Sequence, residues 1–177
     1  MNGQRIVDIA RSYIGTPWKH QGRDRKGLDC VGLLYLVWCD LGFDPSVDGT
    51  GYGHVSDGRW LRETVERLLV RVPGPRAGGV VLMAQRGLHP LHVGLITGIR
   101  DQGSGIRSIV HANARARGVV EQEFVPALGL RPVAYYRFPE QMEKSGRMRS
   151  EGREARRERK EPLAPRSSSL SPRREVR

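Results

Sequence analysis

The chain of 177 residues holds two cysteines and five histidines, and their placement raises the first chemical question. A thiol that attacks a carbonyl must lose its proton to a base that later returns it as an acid, and imidazole suits both steps near neutral pH. Cys30 stands in the string Gly27-Leu28-Asp29-Cys30-Val31-Gly32-Leu33. If a helix opens there, Asp29 is its N-cap, accepting from the open amides of the first turn, and Cys30 is the first helical residue. The positive end of the helix then favours thiolate over thiol. Cys39 reads instead as a small buried hydrophobe of the same helix. Nine residues of helix give about 13.5 Å of rise and opposite faces, so the sulfurs cannot bridge and read as free thiols.

Two histidines belong to apolar runs. His92 begins His92-Val93-Gly94-Leu95-Ile96 and His111 ends Ser108-Ile109-Val110-His111, with a Gly-containing turn near Gly103 between them. In a hairpin so connected, the rings lie on adjacent strands within a few rungs of each other. His20, His54 and His89 lie in loops near Gly or Pro and read as surface residues; His20, in the approach to Cys30, is the one placed to border a cleft.

The elements that must position these groups follow from apolar spacing. Ile6, Ile9, Ala10, Tyr13 and Ile14 recur at helical intervals, which predicts an amphipathic helix ended by Gly15 and Pro17. A loop from Thr16 to Gly27 leads into the run from Cys30 to Cys39, apolar on nearly every side, hence the buried helix of the domain. A third helix is predicted over Asp57 to Val70, with Trp60, Leu61, Val65, Leu68 and Leu69 inward. Beyond Pro73-Gly74-Pro75 the apolar runs become short and rich in Val and Ile: Val80 to Ala84, His92 to Gly98, Ile106 to Asn113, Val119 to Phe124 and Val133 to Phe138. These predict an antiparallel meander of about five strands. Helices first and strands afterward make an α+β fold, with N-terminal helices packed on the sheet.

Composition divides the chain. Residues 140–177 hold 12 Lys and Arg against 7 Asp and Glu, with no aromatic side chain. Such a segment buries too little apolar surface to offset the entropy of ordering it, so residues 140–177 are expected to be a disordered basic tail after one domain at 1–139. The rest of the chain keeps a net charge of +6 of the total +11, which predicts attraction to acidic polymers: nucleic acid, anionic lipid or cell wall. The sign does not choose among them, and 26 of the 30 basic residues being Arg is equally explained by coding preference. Met1 to Trp18 has no apolar stretch of signal-peptide length and no run is long enough to span a membrane. The expectation is synthesis in the cytoplasm, with exit by lysis or within a larger particle.

The strings Gly15-Thr16-Pro17-Trp18-Lys19-His20-Gln21-Gly22-Arg23, Gly27-Leu28-Asp29-Cys30-Val31-Gly32-Leu33, His92-Val93-Gly94-Leu95-Ile96 and Val110-His111-Ala112 together resemble the NlpC/P60 cell-wall peptidases. The resemblance spans roughly residues 4 to 139 and is strongest to the branch found in the tails of phages and of phage-derived gene transfer particles, to which the ending Tyr136-Arg137-Phe138-Pro139 also points. It implies a papain-like fold with Cys30 as nucleophile, His92 as general base and then acid, and His111 orienting His92. It also implies hydrolysis of the amide between D-γ-glutamate and a diamino acid in peptidoglycan stem peptides, without cofactor or metal. Trp18, Asp29 and Val31 fall at substrate-contact positions of the family, where relatives usually carry Tyr in place of Trp18 and often Ser in place of Val31. Phage-like tail proteins are implied as partners, and no specific nucleic acid. Two other functions are compatible with the same residues: a tail assembly component with vestigial catalysis, and an acyltransferase using the same Cys-His-His set.

Overall fold

The computed structural model describes residues 2–47, 52–53, 58–85, 90–100, 105–125 and 128–140. Contacts gather Met1–Gln141 into one unit and Met142–Arg177 into another. The second unit, and with it nearly all of the tail expected from residue 140 onward, lies outside the described residues, as do His54, His89 and the turn at Gly103.

Three helices precede most of the sheet. Helix α1 (Gly3–Arg11) is capped by Asn2, whose side chain accepts from the Gln4 amide. It is shorter than its apolar spacing predicts: the chain turns after Arg11, so Tyr13 is buried while Ile14 is 45% exposed. The expected approach loop contains a small hairpin of β1 (Arg23–Asp24) and β2 (Gly27–Leu28), strands of two residues that are too short to show alternation. Helix α2 (Cys30–Asp40) begins and ends where its apolar run does. Val31, Gly32, Leu33 and Val37 are buried, whereas Leu34, Leu36 and Trp38 are only partly so, because the helix borders a groove shared with α3 (Arg59–Leu68). Helix α3 stops short of the predicted Val70, since Leu69 is extended and Val70 opens a strand.

That strand, β3 (Val70–Val72), is followed by β4 (Val80–Gln85), β5 (Pro90–Ile99), β6 (Ile106–Asn113), β7 (Gly118–Glu123) and β8 (Leu130–Arg137). All neighbours pair antiparallel in the order β3-β8-β4-β5-β6-β7, six strands where about five were expected. Only β4 to β7 form the predicted meander. The last strand returns between β3 and β4, pairing Val80 with Tyr136 on one side and Val70 with Arg137 on the other. The architecture is α+β.

The main core lies where the helices meet the sheet: Ile6, Ala10, Leu33, Val37 and Val65 pack with Val80, Leu82, Val93, Leu95 and Val110. Truncating a fully buried member such as Leu33 to Ala is expected to cost about 2–5 kcal/mol. A second cluster of Val81, Met83, Ile96, Ile106 and Ile109 uses the alternate residues of β4, β5 and β6. Burial on both sides explains why these strands read as nearly continuous apolar runs. Among the described residues no helix is long and apolar enough to cross a membrane.

Candidate active site

The start of α2 is held by one carboxylate. Asp29 is extended and 5% exposed; its Oδ1 accepts the Gly32 amide at 2.8 Å, closing the first turn as the N-cap. Its Oδ2 accepts the Gln21 amide at 2.7 Å and the Tyr52 hydroxyl at 2.5 Å, while the Arg23 guanidinium lies 3.4 Å from Oδ1. Gln21 sits in the left-handed region at φ 54°, a conformation unusual outside glycine, and its amide bond to Asp29 helps hold it there. His20 stands alongside, its Nδ1 3.9 Å from Oδ2 and its ring edge-on to Tyr52.

Two glycines let this hairpin lie against the helix. A Cβ on Gly32 would sit 2.0 Å from the Gly22 carbonyl oxygen, and one on Gly22 would sit 2.0 Å from that of Gly27. Both are backbone obstacles, so neither position accepts a side chain without moving the turn that opens α2.

Cys30 is partly exposed and unpaired. The N–H groups of Val93, Val31 and Cys30 itself favour its thiolate, and the Val93 amide places the sulfur beside β5, one residue from His92. The helix-start argument predicts a thiolate; the structure corrects it. Burial pushes the thiol up to about 12, with the Asp29 carboxylate adding to the rise, and these outweigh the amides. Among the described residues the thiol makes no hydrogen bond to either ring.

The two histidines meet as the hairpin predicts. Leu95 pairs with Val110, and continuing that register sets His111 opposite Gly94 and diagonal to His92. A Cβ on Gly94 would meet the end of Met83 at 3.2 Å and the His111 Cβ at 3.4 Å, the latter an ordinary contact. His92 Nε2 lies 2.6 Å from His111 Nδ1. His111 is 2% exposed, and its Nε2 lies 2.9 Å from Gln122 Oε1 on β7. Gln122 Oε1 also accepts from Asn113 Nδ2 at 3.0 Å. Burial, and next the neighbouring His111, push His92 down to about 3; burial also lowers His111, against the hydrogen bond it donates to Gln122 Oε1. At neutral pH both rings are therefore uncharged, as is the thiol.

The three residues expected to contact substrate are placed differently. Trp18 is 36% exposed and pinned by its backbone, which bridges to Leu28 and donates to the Arg117 carbonyl at 2.9 Å, so it stands at the rim beside β2. Asp29 is turned inward, and its described contacts are all to protein donors. Val31 points into the helix-side core and lines the apolar groove with Leu34, Trp38, Leu61 and Val65. Sequence reasoning passed over Gln122, Asn113, Tyr52 and Arg23. Gln122 and Asn113 were in principle accessible: the turn that pairs Asn113 with Gly118 brings Gln122 diagonal to His111. No group of three His, Cys, Asp or Glu placed to hold a metal occurs among the described residues.

Solved structures share this arrangement of elements. The NlpC/p60 domain of the peptidoglycan hydrolase SagA superposes with a TM-score of 0.51 at 23% identity, over 77% of this chain and 98% of that domain. NlpC1 from Trichomonas vaginalis gives a TM-score of 0.55 at 14% identity, over 77% of this chain and 44% of that one. No family model and no curated protein matches the sequence. These likenesses establish the fold: the chain has the papain-like α+β fold of NlpC/P60 domains.

Proposed function

We propose that the chain is a cysteine peptidase that hydrolyses stem-peptide amides of bacterial peptidoglycan, with the D-γ-glutamyl-diamino acid bond as its target. The observation that carries this reading is the His92–His111 hydrogen bond, held on the strand whose Val93 amide meets the Cys30 sulfur. It is supported by a fold shared with a domain described as part of a peptidoglycan hydrolase.

The chemistry starts from a neutral pair. His92 Nε2 is occupied by His111, which leaves Nδ1 as the nitrogen that takes the Cys30 proton while Sγ bonds to the scissile carbonyl carbon. A thiol–imidazole contact absent at rest is expected to form when substrate closes the site. The Cys30 backbone N–H helps hold the oxyanion of the tetrahedral intermediate. The C–N bond then breaks as His92 returns the proton to the departing amine, leaving a thioester on Cys30. Water, deprotonated by His92, attacks that thioester and releases the acid and the free thiol. Delivery by a phage-like tail, with action in the cell wall, completes the proposal; the basic character of the chain suits an acidic polymer.

The test is digestion of purified peptidoglycan followed by mass spectrometry of the soluble products. Release of fragments ending in D-γ-glutamate, lost in Cys30→Ala, is the expected result. Intact wall after exposure to folded protein, or unchanged release by Cys30→Ala, contradicts it.

A further inference from the structure

The tautomer of His92 is not set at His92. We propose that Asn113 and Gln122 are positioning residues that fix it through His111, so that Nδ1 of His92 is bare and able to accept a proton. The inference rests on the reading of His92 as the base, and it is argued from donors whose identity is unambiguous.

Backbone amides can only donate. The amides of Arg115 and Ala116 point at one side-chain atom of Asn113, at 2.9 and 3.2 Å, so that atom is the carbonyl oxygen Oδ1. The other terminus of Asn113 is therefore the NH2 group, and it donates to Gln122. Gln122 must then present its oxygen, the same atom that faces His111 Nε2. An oxygen there requires a proton on His111 Nε2. A neutral imidazole carries one proton, so His111 Nδ1 is an acceptor, and the atom facing it, His92 Nε2, is the donor. With its single proton on Nε2, neutral His92 keeps a lone pair on Nδ1. The orientation of one exposed turn thus propagates across β7, β6 and β5 to the base.

The reverse orientation is equally good as hydrogen bonding and chemically inert. Were Gln122 turned to offer its NH2 group, His111 Nδ1 would carry the proton and donate to His92 Nε2. His92 Nδ1 would then be protonated, with no lone pair to take the proton of the thiol. Asn113 is what separates the two states.

The experiment is 15N spectroscopy of the full chain labelled at histidine, at pH 8, where bare and protonated ring nitrogens have well-separated shifts, together with kcat on peptidoglycan fragments. In the wild type, His92 is expected to show a bare Nδ1 and a protonated Nε2. Gln122→Glu offers only acceptors and is expected to keep that pattern of His92 shifts. Asn113→Asp keeps the bonds to Arg115 and Ala116 but replaces the donor toward Gln122 with an acceptor. Gln122 should then turn over and the His92 shifts exchange, with kcat falling on the order of 100-fold and KM little changed. Gln122→Leu releases the relay and should give mixed shifts. A protonated Nδ1 in the wild type, or an Asn113→Asp protein with unchanged His92 shifts, overturns the proposal. The shifts are read without substrate. A relay that behaves as described in a protein that digests no wall would therefore sink the hydrolase reading and leave the relay standing.

Discussion

Cys30 and Cys39 lie at opposite ends of α2, both unpaired and both partly exposed, yet their surroundings have little in common. Around Cys30 the chain gathers an inward carboxylate, convergent amides and, one residue along β5, a hydrogen-bonded pair of imidazoles, His111 buried and His92 partly so. The far end of the helix is closed by packing: Trp38 stacks on Phe43 with ring centroids 4.3 Å apart, and Tyr13 donates to Asp40 at 2.7 Å. One helix thus carries the same functional group in two unlike settings. The difference comes from residues distant in sequence, not from helix position alone.

The largest effect that separates the two ends is on turnover. Cys30→Ala is expected to lower kcat/KM on the order of 10⁵-fold or to background, because nucleophile and base act as a unit, whereas Cys39→Ala should leave it within about twofold; steady-state kinetics on isolated stem peptides read both. Next comes the ring behind the base. His111→Ala is expected to reduce kcat by about 10²–10⁴-fold, as for loss of a group that orients a general base, with the fold retained by circular dichroism.

Stability distinguishes the ends by smaller amounts. Asp29→Ala removes the cap of α2 and takes the acceptor from the buried Gly32 amide and the partly buried donors of Gln21 and Tyr52, a loss of about 2–4 kcal/mol in denaturant unfolding. Gly32→Ala drives a methyl into the Gly22 carbonyl and should cost about 1–3 kcal/mol by the same measurement, with activity falling further than stability accounts for.

The pH dependence follows from the depressed imidazoles. The folded His92 binds its proton only near pH 3, whereas an unfolded histidine binds at about 6.5. Between those values the unfolded chain holds more protons, so this contribution to stability is complete above about pH 6.5 and declines as pH falls, by up to about 1.4 kcal/mol per pH unit for this ring. By the same shift His92 stays a competent base in mild acid. The acid limb of kcat/KM should therefore lie well below pH 6, and a limb at the ordinary imidazole value would contradict the buried, uncharged pair.

The sequence carried the fold further than it carried the electrostatics. Apolar runs located α2 and four strands of the meander closely, because burial on both sides leaves a strong pattern, and the His92–His111 meeting followed from hairpin geometry. The return of β8 between β3 and β4 was not legible, since a strand's partner depends on chain path and not on its own residues. Nor was β3, whose three residues sit where the predicted third helix ends. The charge state of Cys30 is not legible from local position: a helix start argues for thiolate, but desolvation in the folded chain and the neighbouring Asp29 carboxylate outweigh it. Gln122 was missed because, set between Glu121 and Glu123, it looks like one more solvent-facing polar residue of the strand.

The most direct test of the Cys30–His92 pairing is single-turnover acylation of Cys30 by a stem peptide, in the wild type and in His92→Ala, with the thioester on the protein followed by mass spectrometry. The account predicts that losing the imidazole slows formation of the thioester by at least about 100-fold, because the proton of a neutral thiol then has no acceptor. Equal rates with and without His92 would contradict it.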